Sequence, residues 1–249
     1  MAEAAPVQFK TIAVPRRYQQ VADQIAGLID QGVWAVGDRL PPERDLAQRL
    51  GVSRPTVREA MVALDLAGRI DVRTGAGTFV KARPAVPPIA LSAQSTDAGS
   101  SPFEILDARE LIEGETAARC AAAASPVDIE GLSESIVIMR RDIDRGVQGL
   151  EQENDGDRLF HVRLARATGN QVLVDLVDQL WSTMRQPLFR AFSERTRLGY
   201  FARGAADEHA VIVDRIVARD AAGARRAMHA HIRSVRGVLL SADAGAAGP

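Results

Sequence analysis

The sequence predicts a mostly α protein of two parts: an N-terminal winged helix-turn-helix, α with a small β-wing, and a C-terminal all-α helical bundle. Three observations carry that reading. Helix, turn, helix and glycine-marked hairpin signals follow one another from Gly37 to Arg83. Residues 84–101 are rich in Pro, Ser, Ala and Gly, as a linker would be. Residues 102–240 then keep a helical period, without a strand pattern or an internal repeat. Flanking these parts, residues 1–13 read as a flexible tail and 241–249 as a disordered Gly/Ala-rich one, so the winged helix-turn-helix spans 14–83.

A first helix is expected from Arg16, with Tyr18, Val21, Ala22, Ile25, Leu28 and Ile29 at helical spacing, ending near Gly32. Pro41-Pro42-Glu43 opens a second, since proline fits a first turn and an acidic residue there opposes the helix dipole. Leu46, Ala47 and Leu50 face inward on it, and Gly51 ends it. Ser53 is the expected N-cap of a third helix, Arg54 to Ala67, with Val57, Ala60, Met61 and Leu64 as its apolar stripe. The strands Ile70–Arg73 and Thr78–Lys81 then make a hairpin, the wing. In the second half helices are expected at 103–124, 127–146, 150–168, 170–190, 194–218 and 220–240, broken at Ser125-Pro126 and Gly169-Asn170.

Composition excludes little but narrows the setting. A hydrophobic share of 46% and a charged share of 25% are ordinary for a globular protein. Neither a signal-length N-terminal apolar run nor a membrane-length one occurs, so a cytoplasmic protein with no membrane partner is expected. The lone Cys120, in an Ala-rich helical stretch, suits a reducing compartment. The net charge of −1 divides unevenly: Lys10 to Pro84 holds 12 Lys+Arg against 8 Asp+Glu, or +4. A mildly basic first half fits a phosphate-binding surface.

In a helix-turn-helix the second helix presents its N-terminus to the major groove. Arg54, Thr56 and Arg58 lie in that first turn and a half, where aligned N–H groups and short reach favour phosphates and base edges. In the second half, Asp157 and His161 are one turn apart on one helix face. His209 lies on the stripe of Ile212, Val213 and Ile216, and His231 on the stripe of the last helix. His229 falls about 160° away from His231 by the helical period, and is expected in solvent. Three imidazoles and a carboxylate suit Zn²⁺, Ni²⁺ or Mn²⁺. Spacing alone leaves two readings open, a metal-ligand set or scattered core histidines.

The stretch LPPERDLAQRLGVSRPTVREAMVALDLAGRIDVRTGAGTFV resembles the signature of the GntR family of bacterial transcription regulators over essentially the whole N-terminal part. That resemblance implies a homodimer on a short pseudo-palindromic double-stranded operator. By motif position Arg44, Ser53, Arg54, Thr56 and Arg58 would belong to the DNA-contacting surface, with Gly75 at the wing tip in the minor groove. Pro55 stands where several relatives carry a polar residue, which leaves base preference at the half-site centre open. From Pro102 to about Leu240 the chain resembles the FCD domain of the FadR subfamily. The stretches carrying that likeness are FEILDARELIEGETAARCAAA, DGDRLFHVRLARATGN and DEHAVIVDRIVARDAAGARRAMHAHI. By position Asp157, His161, His209 and His231 match that domain's metal ligands, and Arg109 an arginine that commonly faces a carboxylate effector. Arg109 could equally be an ion pair with Glu113 one turn along, and both readings stand. The expectation is therefore a repressor, not an enzyme, controlled by a small carboxylate at a divalent metal. The rivals are a purely structural metal and a metallohydrolase, for which Glu208 would be the available general base.

Overall fold

A computed structural model of the chain describes residues 16–73, 76–83, 99–144, 156–195 and 202–240. Both expected tails, the linker up to residue 98 and Gly75 lie outside them. The chain forms two compact units, dividing between Ala98 and Gly99.

The first unit holds α1 (Arg17–Asp30), α2 (Glu43–Leu50), α3 (Arg54–Leu66), β1 (Ile70–Arg73) and β2 (Gly77–Val80). Tyr18, Val21, Ala22 and Ile25 of α1 are buried, as are Val57, Ala60, Met61 and Leu64 of α3, and the two helices pack together. The helical period of the apolar residues thus becomes a single core, completed by Leu40, Leu46, Ile70 and Val80. Gly51 ends α2 in the left-handed region at φ 66°, where a side chain would be strained. Ser53 caps α3 by accepting from the Thr56 N–H at 3.2 Å. The strands pair antiparallel, Ile70 opposite Val80 and Arg73 opposite Gly77, and Arg39 bridges to Phe79 from outside.

The second unit is all helix among its described residues: α4 (Pro102–Ala123), α5 (Pro126–Asp144), α6 (Gly156–Arg166), α7 (Gln171–Met184), α8 (Pro187–Arg195), α9 (Ala202–Val217) and α10 (Ala221–Leu240). Helix α4 is the centre. It packs on α6, α7, α8, α9 and α10, and it buries charged as well as apolar residues. Its small residues Gly114, Ala117 and Ala121 let α10 approach closely: a Cβ on Gly114 would sit 2.1 Å from His229 Nε2. Arg225–Glu115 and Arg233–Glu110, at 2.5 and 2.7 Å, and Arg236–Asp107 line the outside of this contact. Such exposed pairs contribute little, so shape rather than charge sets the approach.

Two expectations are corrected. The helix expected over 170–190 is two helices, because Pro187 has no N–H to donate to a continuing ladder and instead starts α8. His229 is not in solvent but half-buried over Gly114, since a residue off the apolar stripe is covered where the partner helix has no side chain.

Candidate metal centre and nucleic-acid interface

Three helices bring four side chains to one point. Asp157 and His161 come from α6, His209 from α9 and His231 from α10, each offering one ligand atom within 4.8 Å of the others. Gly156 makes the placement of α6 possible: a Cβ there would lie 2.4 Å from the Met139 backbone nitrogen on α5. The three imidazoles are 1%, 0% and 2% exposed, so they are core residues by position. His161 Nε2 lies 3.0 Å from His209 Nε2, and Asp157 Oδ1 lies 3.4 and 3.2 Å from those two nitrogens. Ligand atoms about 2.1 Å from one ion and roughly 90–110° apart are separated by about 3.0–3.4 Å. The Asp157, His161 and His209 atoms are therefore spaced as ligands of a first-row divalent ion, with a His231 nitrogen within 4.8 Å of them.

The outer nitrogens explain why the inner ones face one another. His209 Nδ1 lies 2.6 Å from the Ala205 carbonyl, which can only accept, so Nδ1 carries the proton. His231 Nδ1 donates to Glu208 Oε2 at 2.8 Å in the same way. His161 Nδ1 lies 2.5 Å from Glu113 Oε2, in contact but off the line of an ideal hydrogen bond. His209 and His231 are thus held from behind by a hydrogen-bonded oxygen, and His161 has a carboxylate oxygen in contact behind it, the arrangement that orients metal-ligating histidines. Asp157 Oδ1 is buried without a well-aligned hydrogen bond.

Electrostatics lead the same way. Burial pushes the Asp157 carboxyl up, but His161 and His209 outweigh it and hold the group well below the carboxylate range. Burial also disfavours a charge on His161, yet Glu113 and Asp157 raise its pKa overall. His231 goes the other way, down to about 4, through burial and the charge of His209. A cation is favoured at the centre of this cluster, and a proton on His161 competes with a metal ion for that role.

Arg109 borders the site, 2% exposed. Its Nε and Nη2 donate to Glu113 at 2.7 and 3.1 Å, and its guanidinium covers Trp181 at 4.5 Å. The ion pair with Glu113 is therefore present. Nη2 also lies 3.4 Å from His161 Nε2, which puts this cation beside the ligand cluster. Sequence reasoning missed that Glu113 serves two partners, and its only signal was the i, i+4 spacing to Arg109. Glu208 faces His231 Nδ1, on the outer side of that ring, so its carboxylate is committed to orienting a ligand.

In the first unit, Arg44 and Arg54 are exposed; Arg44 pairs with Asp45 at 3.5 Å, and among the described residues Arg54 has no ion pair. Ser53 is exposed and Thr56 half-buried, their hydroxyls 2.8 Å apart. Arg58, another of these expected DNA contacts, is paired within the unit. It is 8% exposed, and its Nε and Nη2 donate to Glu43 Oε2 at 3.1 and 2.9 Å. Its position on the inward-turning side of α3 brings it back against the first turn of α2.

Residues 17–80 match the family model "Bacterial regulatory proteins, gntR family", and residues 104–234 match that of the FCD domain. The chain is 32% identical over 233 residues to the "Uxu operon transcriptional regulator" of Escherichia coli (strain K12), covering 90% of this chain and 87% of that protein. It is also 32% identical to the "Exu regulon transcriptional regulator" of the same organism, over 92% of this chain and 87% of that one. Among solved structures, "E. coli McbR/YncC" aligns at 22% identity and a TM-score of 0.49, over 91% of this chain and 98% of that one. The relatives are named as regulators, not enzymes. The chain belongs to the GntR family as a DNA-binding transcription regulator that carries an FCD domain.

Proposed function

We propose that the protein is a cytoplasmic homodimeric repressor whose operator affinity is set by a small carboxylate bound at a divalent metal, Zn²⁺, Ni²⁺ or Mn²⁺, held by Asp157, His161, His209 and His231. One observation carries this reading: three buried imidazoles, each with an oxygen against its outer nitrogen, come together with a carboxylate oxygen among them. A metal there would supply Lewis acidity to hold an organic carboxylate. Arg109, 3.4 Å from His161, would meet the second oxygen of such an anion, keeping its bonds to Glu113 meanwhile.

On the DNA side, Arg44, Ser53, Arg54 and Thr56 would contact a pseudo-palindromic operator from each protomer, with Gly75 at the wing tip. Arg58 would serve mainly by fixing α3 against α2 through Glu43. The effector acts only through different affinity for two arrangements of the dimer. Metal analysis of the purified chain tests the site: about one divalent ion per chain is expected, lost in His209→Ala. A metal-free wild type that takes up none of the three ions would overturn it.

A further inference from the structure

Resting on that metal reading, we propose that Glu113 is a positioning residue: one buried carboxylate orients the His161 ligand and the Arg109 guanidinium together, setting metal affinity without touching the ion.

Glu113 is 1% exposed and lies midway along α4, with no solvent to satisfy its charge. Its two oxygens are divided between two tasks. Oε1 accepts from Arg109 Nε at 2.7 Å. Oε2 accepts from Arg109 Nη2 at 3.1 Å and also lies 2.5 Å from His161 Nδ1. The rest of Arg109 is confined too, with its guanidinium over Trp181 and Nη1 lying 3.3 Å from Met184 Sδ. A closed frame of Glu113, Arg109 and His161 results, its third side being the 3.4 Å approach of Arg109 Nη2 to His161 Nε2.

That third side shows why a carboxylate is needed. Arg109 carries a fixed positive charge next to a nitrogen that must bind a cation, and like charges at this distance repel. Glu113 offsets the charge of the guanidinium, and holds two of its nitrogens at 2.7 and 3.1 Å, nearer than the 3.4 Å of the ligand atom. The same carboxylate, 2.5 Å from Nδ1, favours a proton on that nitrogen and so leaves the Nε2 lone pair for the centre. Glu208 does only the second of these tasks, for His231, and is half-exposed. Glu113 should therefore matter more.

Chelator competition with Zn²⁺ on the full-length chain measures the effect directly. Glu113→Gln should weaken the ion by roughly 10–100-fold, the range for losing such a partner, and Glu208→Gln by less. Because Glu113→Gln leaves a buried arginine charge unpaired, the neutral pair Arg109→Met with Glu113→Gln is the decisive variant, its fold checked by circular dichroism. If Glu113 orients His161, Zn²⁺ stays weakened in that double variant while Arg109→Met alone keeps or gains affinity. Wild-type affinity in the double variant would overturn the proposal, leaving Glu113 as the counter-ion of Arg109. A wild type that binds no Zn²⁺ would instead remove the metal reading beneath it.

Discussion

Arg58 Nη2 lies 2.9 Å from Glu43 Oε2, so α3 is tied through its second turn to the start of α2. Both partners are mostly buried, and charged hydrogen bonds of this kind contribute about 1.5–3 kcal/mol each way they are counted. Arg58→Ala should therefore lower folding stability by about 1–3 kcal/mol as well as weaken DNA binding. Arg54→Ala, on an exposed side chain, should leave stability within about 0.5 kcal/mol. It should still weaken DNA binding and reduce the salt slope by about 1. Urea unfolding beside salt-dependent DNA titration separates the two. Equal stability in both variants would sink the assignment of Arg58.

Gly156 permits α6 to touch the backbone of α5, where an added Cβ would meet Met139 N at 2.4 Å and Ser135 O at 2.8 Å. Neither atom can rotate away, so Gly156→Ala must push the helices apart. A cost of about 1–3 kcal/mol is expected. Asp157 is the next residue, so metal affinity should fall in parallel. Thermal melting with and without Zn²⁺ checks this, and a variant with unchanged melting and unchanged metal shift contradicts it.

Much of this was legible in the sequence because it is local. Ser53 caps α3, Gly51 ends α2, and the spacing of Asp157 to His161 places both on one face, each within a turn or two of chain. His209 and His231 were found because the apolar stripes of their own helices include them. What escaped depends on packing between helices distant in sequence. Glu43 against Arg58, Glu113 against His161 and Glu208 against His231 join residues that no periodicity relates. His229 was misjudged because the cause of its burial, Gly114, lies on another helix and has no side chain to announce it. Pro187 was visible, but its break was absorbed into an otherwise helical run.

Acid should loosen the metal-free fold in two steps. Burial and the charge of His209 push His231 down to about 4 from 6.5, so its contribution is present above pH 6.5 and is lost as pH falls towards 4. Glu113 is pushed up by burial but held at about 2 by Arg109 and His161, so its contribution goes between pH 4.5 and about 2. In chelator, the melting temperature of wild type should fall more steeply from pH 6.5 to 4 than that of His231→Gln. Parallel curves would refute the assignment to His231.

Cys120 is fully buried on α4, and burial, aided by Asp128, pushes its thiol up to about 12 against the opposing charge of Arg219. The thiolate is the reactive form. Alkylation at pH 8 should be undetectable in the folded chain and complete in denaturant. Prompt labelling of the native protein would mean that α4 opens.

In the proposed mechanism, occupancy of the Asp157, His161, His209 and His231 cluster controls DNA affinity. Fluorescence anisotropy tests it most directly, using DNA enriched from a random pool on the full chain, with Zn²⁺-loaded protein and a panel of small organic acids. At least one acid should change the DNA dissociation constant by about 5-fold or more in wild type, with no change in His209→Ala. An equal response in His209→Ala, or none to any acid in metal-loaded wild type, would contradict the account.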